Sequence, residues 1–268
     1  MVHLTIQNTK KTKSIMEQKF FCSIEKETTM KKRQYPVNAL NLKKIAGNTA
    51  QSILLLSLVI DNSGSMNDKV NDYEETKFSI LKKALRDMFD IIANDKLLKN
   101  SVEISIVKFD SSVEEIRTFS TVKKNQEITS SPSGVTKIGE AICYASDSLK
   151  KRQEHHLANA SAHVLKPIMI VLSDGVPCES DPQALKKAIE LCHSDEFITV
   201  PISIGEKNNY YLDELSPRVI KIDDFQIKDI FKGIVSATKS TINTASSNAF
   251  NDLLQSCISW SQITGKSI

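Results

Sequence analysis

From Ile53 to Ile60 the chain is apolar at every position except Ser57. Such a run is far too short to cross a bilayer as a helix, which takes about 20 residues. As a strand it is apolar at odd and even positions alike, so both of its faces must be covered. That requirement is met by a central strand of a parallel sheet with helices packed on each side. The rest of the chain supplies the matching parts. Phe78, Leu81, Leu85, Met88 and Ile92 recur at helical spacing, as do Ile138, Ala141, Ile142, Ala145 and Leu149. Val102–Phe109 and Val113–Phe119 read as two strands joined through Asp110-Ser111-Ser112. Ile168–Leu172 is a second buried strand, Phe197–Ile204 a third and Val219–Ile222 a short last one.

Between them, Asp181-Pro182 predicts an N-cap with proline at the first helical position, ahead of Ala184, Ala188, Leu191 and Cys192. Ile227, Ile230, Phe231 and Ile234 line a final core helix. Strands alternating with helices predict an α/β fold: a doubly wound, mostly parallel sheet with helices on both faces. Such sheets receive ligands at the carboxyl ends of their strands.

Three segments are expected. Residues 1–50 form a basic extension with ten Lys and Arg against three Glu, and a short strand at Lys19–Ile24. Residues 51–240 form the α/β domain. Residues 241–268 carry an amphipathic helix marked by Phe250, Leu253, Leu254, Cys257 and Ile258, expected to dock on its own domain. Lys10, Lys11, Lys13, Lys31, Lys32 and Arg33 offer an alternative function, binding nucleic acid or lipid phosphates. Only Phe20, Phe21 and Tyr35 accompany them, which is poor for base stacking, so a solvated arm is the expectation. Lysines and Glu17 interrupt the first thirty residues, unlike a secretory leader. The five cysteines are odd in number, scattered and without a C-x-x-C pair. Together these features predict a cytoplasmic protein without a membrane span, a disulfide framework or a zinc site.

The chemistry gathers at strand ends. After the first strand comes Asp61-Asn62-Ser63-Gly64-Ser65, three short oxygen-bearing side chains at alternate positions. After the later buried strand comes Ser173-Asp174-Gly175. Thr136 stands at the entrance to a helix. Taken singly, these are a polar turn, a second turn and a helix cap. Taken together, two carboxylates and three hydroxyls are hard ligands suited to Mg²⁺ or Mn²⁺. Five such side chains leave an octahedral shell open, and three neutral ones leave the ion electrophilic enough for an outside carboxylate. Without an ion, Asp61 and Asp174 are expected to repel one another.

No enzyme signature competes. Neither Ser63 nor Ser65 lies in a G-x-S-x-G elbow, and there is no phosphate-binding glycine loop. His155, His156, His163 and His193 stand in no triad context, and His155-His156 reads as part of a polar surface loop. A metal-dependent phosphatase or hydrolase is the alternative, but a nucleophilic Asp61 would want a carboxylate two residues on, where Ser63 stands.

The D-x-S-x-S of Asp61, Ser63 and Ser65, with Thr136 and Asp174, resembles a von Willebrand factor type A domain with a metal-ion-dependent adhesion site, over roughly residues 51–240. Within that superfamily the chain is most similar to bacterial intracellular proteins associated with tellurite resistance and stress. The carrying stretches are Val107-Lys108-Phe109-Asp110-Ser111-Ser112, Leu172 to Pro177, and Ile230 to Ala237. Asn62, Val135 and Cys178 depart from the usual pattern without removing a ligand; Cys178 is expected to be a small buried filler. The resemblance implies a non-enzymatic, metal-dependent protein–protein interaction module. Ser63, Ser65 and Thr136 would coordinate by hydroxyl, Asp61 and Asp174 directly or through water, and a partner's Glu or Asp would complete the shell. It also implies a scaffold role in stress response or phospho-signalling, alongside a protein kinase and a phosphatase.

Overall fold

The computed structural model describes residues 51–252, apart from 71–73, 160–161, 179–181, 206–209, 217–218, 223–225, 247 and 249. The basic extension and its expected strand, the Asp181 cap and the end of the C-terminal helix from Leu253 lie outside the described residues.

Strand β1 (Ser52–Asp61) runs through the middle of the sheet and is fully buried from Leu54 onward. A 3-10 turn at Gly64–Asn67 follows, then helix α1 (Lys77–Asn94), which starts where the Thr76 hydroxyl accepts a hydrogen bond from the Ser79 amide at 3.2 Å. The short α2 (Leu98–Ser101) leads into β2 (Val102–Phe109) and β3 (Val113–Ser120). Next come α3 (Ile138–Ala158), the two-residue β4 (His163–Val164) and β5 (Ile168–Ser173). The chain continues through α4 (Pro182–Cys192), β6 (Ile198–Ile204), α5 (Tyr210–Leu215), β7 (Ile220–Ile222) and α6 (Ile227–Thr244).

The sheet order is β3-β2-β1-β5-β6-β7, with β4 pairing the start of β1. All pairings are parallel except β2 with β3. Chain order reverses at β1, which has β2 on one side and β5 on the other, so the crevice of the fold opens above the ends of β1 and β5. This is the doubly wound α/β architecture the hydrophobic pattern predicts.

The strand period of two sorts β1 between two cores. Leu54, Leu56, Leu58 and Ile60 pack under α1 and α6, whereas Leu55 and Val59 pack under α3, α4 and α5. Ser57 falls between Leu55 and Val59 on the second face and is satisfied there by the Ser105 hydroxyl, which donates to its oxygen at 3.0 Å. Helices α3 and α4 meet at Gly139. A Cβ there would lie 2.7 Å from the Leu185 nitrogen, so only glycine permits this approach. Phe250 is fully buried in the first core, so the described start of the C-terminal segment packs on its own domain. Among the described residues no helix is long and apolar enough to cross a membrane.

Candidate metal centre

Asp61 is the last residue of β1, and its neighbour across the sheet is the last residue of β5. Because Ile60 is in register with Leu172, Asp61 falls beside Ser173. The Ser173 hydroxyl donates to Asp61 Oδ2 at 2.6 Å, and the Ser63 amide donates to Oδ1 at 2.8 Å. Burial pushes the Asp61 carboxyl up to about 6, against the lowering pull of the Ser173 and Ser63 hydrogen bonds; the charge of Asp174 adds a smaller upward push.

The 3-10 turn then folds the two serines back. Ser63 and Ser65 hydroxyls lie 3.1 Å apart, and Ser65 Oγ donates to Asp174 Oδ1 at 2.7 Å. Thr136 comes from the loop that enters α3, held by its own carbonyl, which accepts from the Cys178 amide at 2.9 Å. Gly175 is where these parts converge. A Cβ on it would stand 3.4 Å from Thr136 Oγ1, 3.6 Å from Ser65 Oγ and 4.0 Å from Asp61 Oδ2. Three of the five residues predicted from the sequence therefore turn oxygens to the small hollow left over Gly175, and Ser63 and Asp174 are hydrogen-bonded to Ser65 beside it. Asp61, Ser63, Thr136 and Asp174 are buried and Ser65 is partly so.

Lys77, the first residue of α1, reaches into the same place. Its ammonium lies 2.7 Å from Asp174 Oδ2, with both side chains almost wholly removed from solvent. This corrects the expectation of two uncompensated like charges, because one carboxylate is already neutralised by a fixed cation. The donor set is all oxygen and suits a hard divalent ion. Among the described residues no group of three or more His, Cys, Asp and Glu gathers to hold a metal, so the site's two carboxylates depend on hydroxyls for the remaining ligands.

Asn62 organises the surrounding loops. Its amide donates to Asp110 Oδ2 at 2.9 Å and to the Ser131 carbonyl at 3.2 Å, while its oxygen accepts from Ser130 Oγ at 2.8 Å. Its backbone adds bonds to Phe109 and Ser133. One buried side chain thus ties the β1 end, the β2–β3 turn and the loop before α3. Burial raises the Asp110 carboxyl, but Asn62, two bonds from Ser112 and nearby Lys108 outweigh it and hold the group below its ordinary value. At Gly134, φ is +74°, and a Cβ would strike the Ser111 side chain; its carbonyl meanwhile accepts from the Gly64 amide at 3.1 Å.

Three residues differ from their predicted settings. Cys178 is exposed rather than buried. His155 and His156 belong to α3, and His156 is buried with Nε2 3.2 Å from Glu103 Oε2. The polar letters around them concealed a helical turn that rests on the sheet. His156 and His163 lie at the opposite end of the sheet from Asp61, where Glu103 pairs with Leu55 and His163 with Ser52. Lys77, Ser173 and Asn62 were not predicted as parts of the site. Ser173 could have been found from its place one residue before Asp174 at a strand end, and Lys77 from its place just inside a capped helix; nothing local marks Asn62.

Beside the hollow runs a cleft of about 480 Å³ between the first turns of α1 and residues 127–132. Lys82, Lys83 and Arg86 line it, with Ser79 and Ser131. Lys83 pairs with Glu75 and Arg86 with Glu127.

Residues 56–176 match the von Willebrand factor type A domain family. No curated protein matches the chain in sequence. Among solved structures the chain is similar to von Willebrand factor type A from Catenulispora acidiphila, with a TM-score of 0.54 at 19% identity over 70% of this chain and 43% of that one. It is similar to the PilB minor pilin from Streptococcus sanguinis, with a TM-score of 0.53 at 15% identity over 74% of this chain and 64% of that one. It is also similar to the pilus adhesin SpaC from Lactobacillus rhamnosus GG, with a TM-score of 0.55 at 12% identity over 72% of this chain and 31% of that one. At these identities the likeness is one of fold. In each case the chain spans less than two thirds of the other protein.

Proposed function

We infer that the chain is a non-enzymatic protein-recognition module, built on the von Willebrand factor type A domain that residues 56–176 match, whose contacts depend on Mg²⁺ or Mn²⁺. One observation carries the reading: Asp61, Ser65 and Thr136 point their oxygens at the space over Gly175, with Ser63 and Asp174 bonded into the same cluster. A divalent ion held there supplies an electrophile to an acidic group from outside. The protein's own residues do the rest. Asp61 and Asp174 bring the negative charge, and Ser63, Ser65 and Thr136 bring neutral oxygens that do not cancel the ion's charge. Ser173 and the Ser63 amide keep Asp61 in one orientation.

A cytoplasmic scaffold, working beside a protein kinase and a phosphatase in a bacterial stress or tellurite response, is the narrower setting we propose. It is supported by the sequence stretches around Asp110, Asp174 and Phe231.

Calorimetry with Mg²⁺ and Mn²⁺ tests the reading. One ion per chain is expected, with binding abolished by Asp174→Ala. Capture of partners from the native cell, with and without chelator, then tests the adhesion step. A partner retained equally in chelator, or metal binding indifferent to Asp174→Ala, sinks it.

A further inference from the structure

Each oxygen of Asp174 has a partner within the protein. Ser65 Oγ donates to Oδ1 and the Lys77 ammonium to Oδ2, both at 2.7 Å. The two partners differ in kind. A serine hydroxyl can turn its lone pairs to a cation and stay in place. An ammonium has three donors, no acceptor and a full positive charge, so it offers a divalent ion no ligand and repels it from the carboxylate oxygen it holds. Among the described contacts of Asp61 and Asp174, Lys77 is the cation.

The position of Lys77 is fixed by the backbone. It opens α1 directly after the Thr76 cap, and its amide donates to the Asp68 carbonyl at 3.2 Å. Lys77 is thereby tied to the end of the serine turn, and Lys69 bridges to Thr76 at the same point. The Lys77 side chain is only 11% exposed and that of Asp174 is fully buried, so the pair is shielded from the screening that makes surface pairs weak. Other lysines near the site, such as Lys83 with Glu75, are half-exposed pairs of the ordinary kind.

We propose that Lys77 is a tethered counter-ion of the metal centre: its ammonium neutralises Asp174 when the site holds no metal, and a divalent cation gains that carboxylate oxygen by displacing it. The inference rests on the metal-centre reading above and assigns that centre its control element. Two consequences follow from charge alone. With Lys77 in place the pair of aspartates presents one net negative charge to an arriving ion; without it they present two. The metal-free fold is also spared a buried, uncompensated carboxylate, which is costly in a dry site. Metal exchange then swaps one cation for another, and affinity is set below what the five oxygens would give unaided.

The test uses the full chain and the metal alone. Calorimetry with Mg²⁺ and with Mn²⁺ compares wild type, Lys77→Met, Lys77→Gln and Lys77→Arg. Lys77→Met and Lys77→Gln should bind about tenfold more tightly, equivalent to about 1.4 kcal/mol. Lys77→Arg, which keeps the charge, should stay within about threefold of wild type. Thermal midpoints are read in chelator and in saturating Mg²⁺. The neutral variants should lose stability in chelator and recover it in Mg²⁺, so the gap between the two midpoints widens. A lysine that merely ties α1 to the sheet would lower both midpoints alike and leave affinity unchanged or weaker. That outcome overturns the proposal while the metal centre stands, provided wild type binds one ion and Asp174→Ala none. If no variant binds an ion, both fall together. Should the neutral variants fail to fold in chelator, refolding on addition of Mg²⁺ supports the proposal, and failure to refold overturns it.

Discussion

Ser173 and Asp61 end two neighbouring parallel strands side by side, and the serine hydroxyl donates to the aspartate's Oδ2 at 2.6 Å. The bond is made between the two elements whose separation defines the crevice. It therefore orients a site carboxylate and fastens the mouth of the crevice with one contact.

Ser173→Ala should expose that double role. Removing a donor from a fully buried carboxylate typically costs about 1–3 kcal/mol. Denaturant unfolding in chelator should show a loss in that range, and calorimetry should show weaker Mg²⁺ binding although none of the five ligand residues has changed. Unaltered affinity would mean that Asp61 is held by Ser63 alone.

Asn62→Ala removes three side-chain hydrogen bonds that link separate loops. A stability loss of about 1–3 kcal/mol is expected, the usual range for leaving buried groups unsatisfied. The loss should be concentrated locally. Hydrogen exchange should quicken in residues 110–112 and 130–136 while the amides of β1 and β5 keep their protection.

Two glycines should answer alanine in opposite ways. At Gly139 the added Cβ meets the α4 backbone at 2.7 Å, so overpacking should cost about 1–3 kcal/mol with α3 and α4 forced apart. At Gly175 the nearest atom is at an ordinary 3.4 Å, and the fold should lose less than about 0.5 kcal/mol, as for a tolerated substitution. The methyl would nonetheless stand among the site oxygens, so Gly175→Ala should bind Mg²⁺ at least about tenfold more weakly, about 1.4 kcal/mol. Chemical denaturation and calorimetry on the two variants separate fold from site.

At the other end of the sheet, Glu103 is gripped by Arg152 through bonds of 2.7 and 2.8 Å and faces His156 at 3.2 Å. Burial raises the Glu103 carboxyl, but the Arg152 and His156 bonds and charges outweigh it and hold it below its ordinary value. A carboxyl depressed by folding contributes stability above its unfolded value, about 4.3, and that contribution drains away as pH falls through the lower folded value. Glu103→Gln should therefore destabilise the protein by about 1–3 kcal/mol at pH 7. The difference should shrink below about pH 4 as the wild-type group takes up its proton. Thermal midpoints of the two proteins between pH 3 and 7 check this; a constant gap would remove Glu103 ionisation from the account.

The parts of the fold legible in the sequence are those where one residue pattern has one solution. Ile53–Ile60 admits little but a strand covered on both sides, and the stripe from Phe78 to Ile92 fixes α1 and its buried face. The short elements were illegible because they lack a period: β4 is two residues and α2 four, and each exists only because a neighbour receives it. His156 was misplaced for a related reason. It is polar, but it lies on a helix that presents it to Glu103, a partner 53 positions away. The side chains gathered at the candidate site could be read because carboxylates and hydroxyls stand at strand ends in fixed order. Lys77 could not, since a lysine opening a helix looks like any solvated charge until Asp174, 97 positions later, is brought against it.

The two borders of the sheet bear on what the chain avoids. Strand β3 lies on one border, with Glu114, Glu115 and Arg117 along it and two register shifts against β2. The other border, β7, is three residues long with Lys221 at its centre. A growing cross-β fibre needs a flat, uncharged strand of several residues on which an incoming chain can align. Neither border provides one. At high local concentration, copies of the protein can therefore crowd together without their sheets fusing.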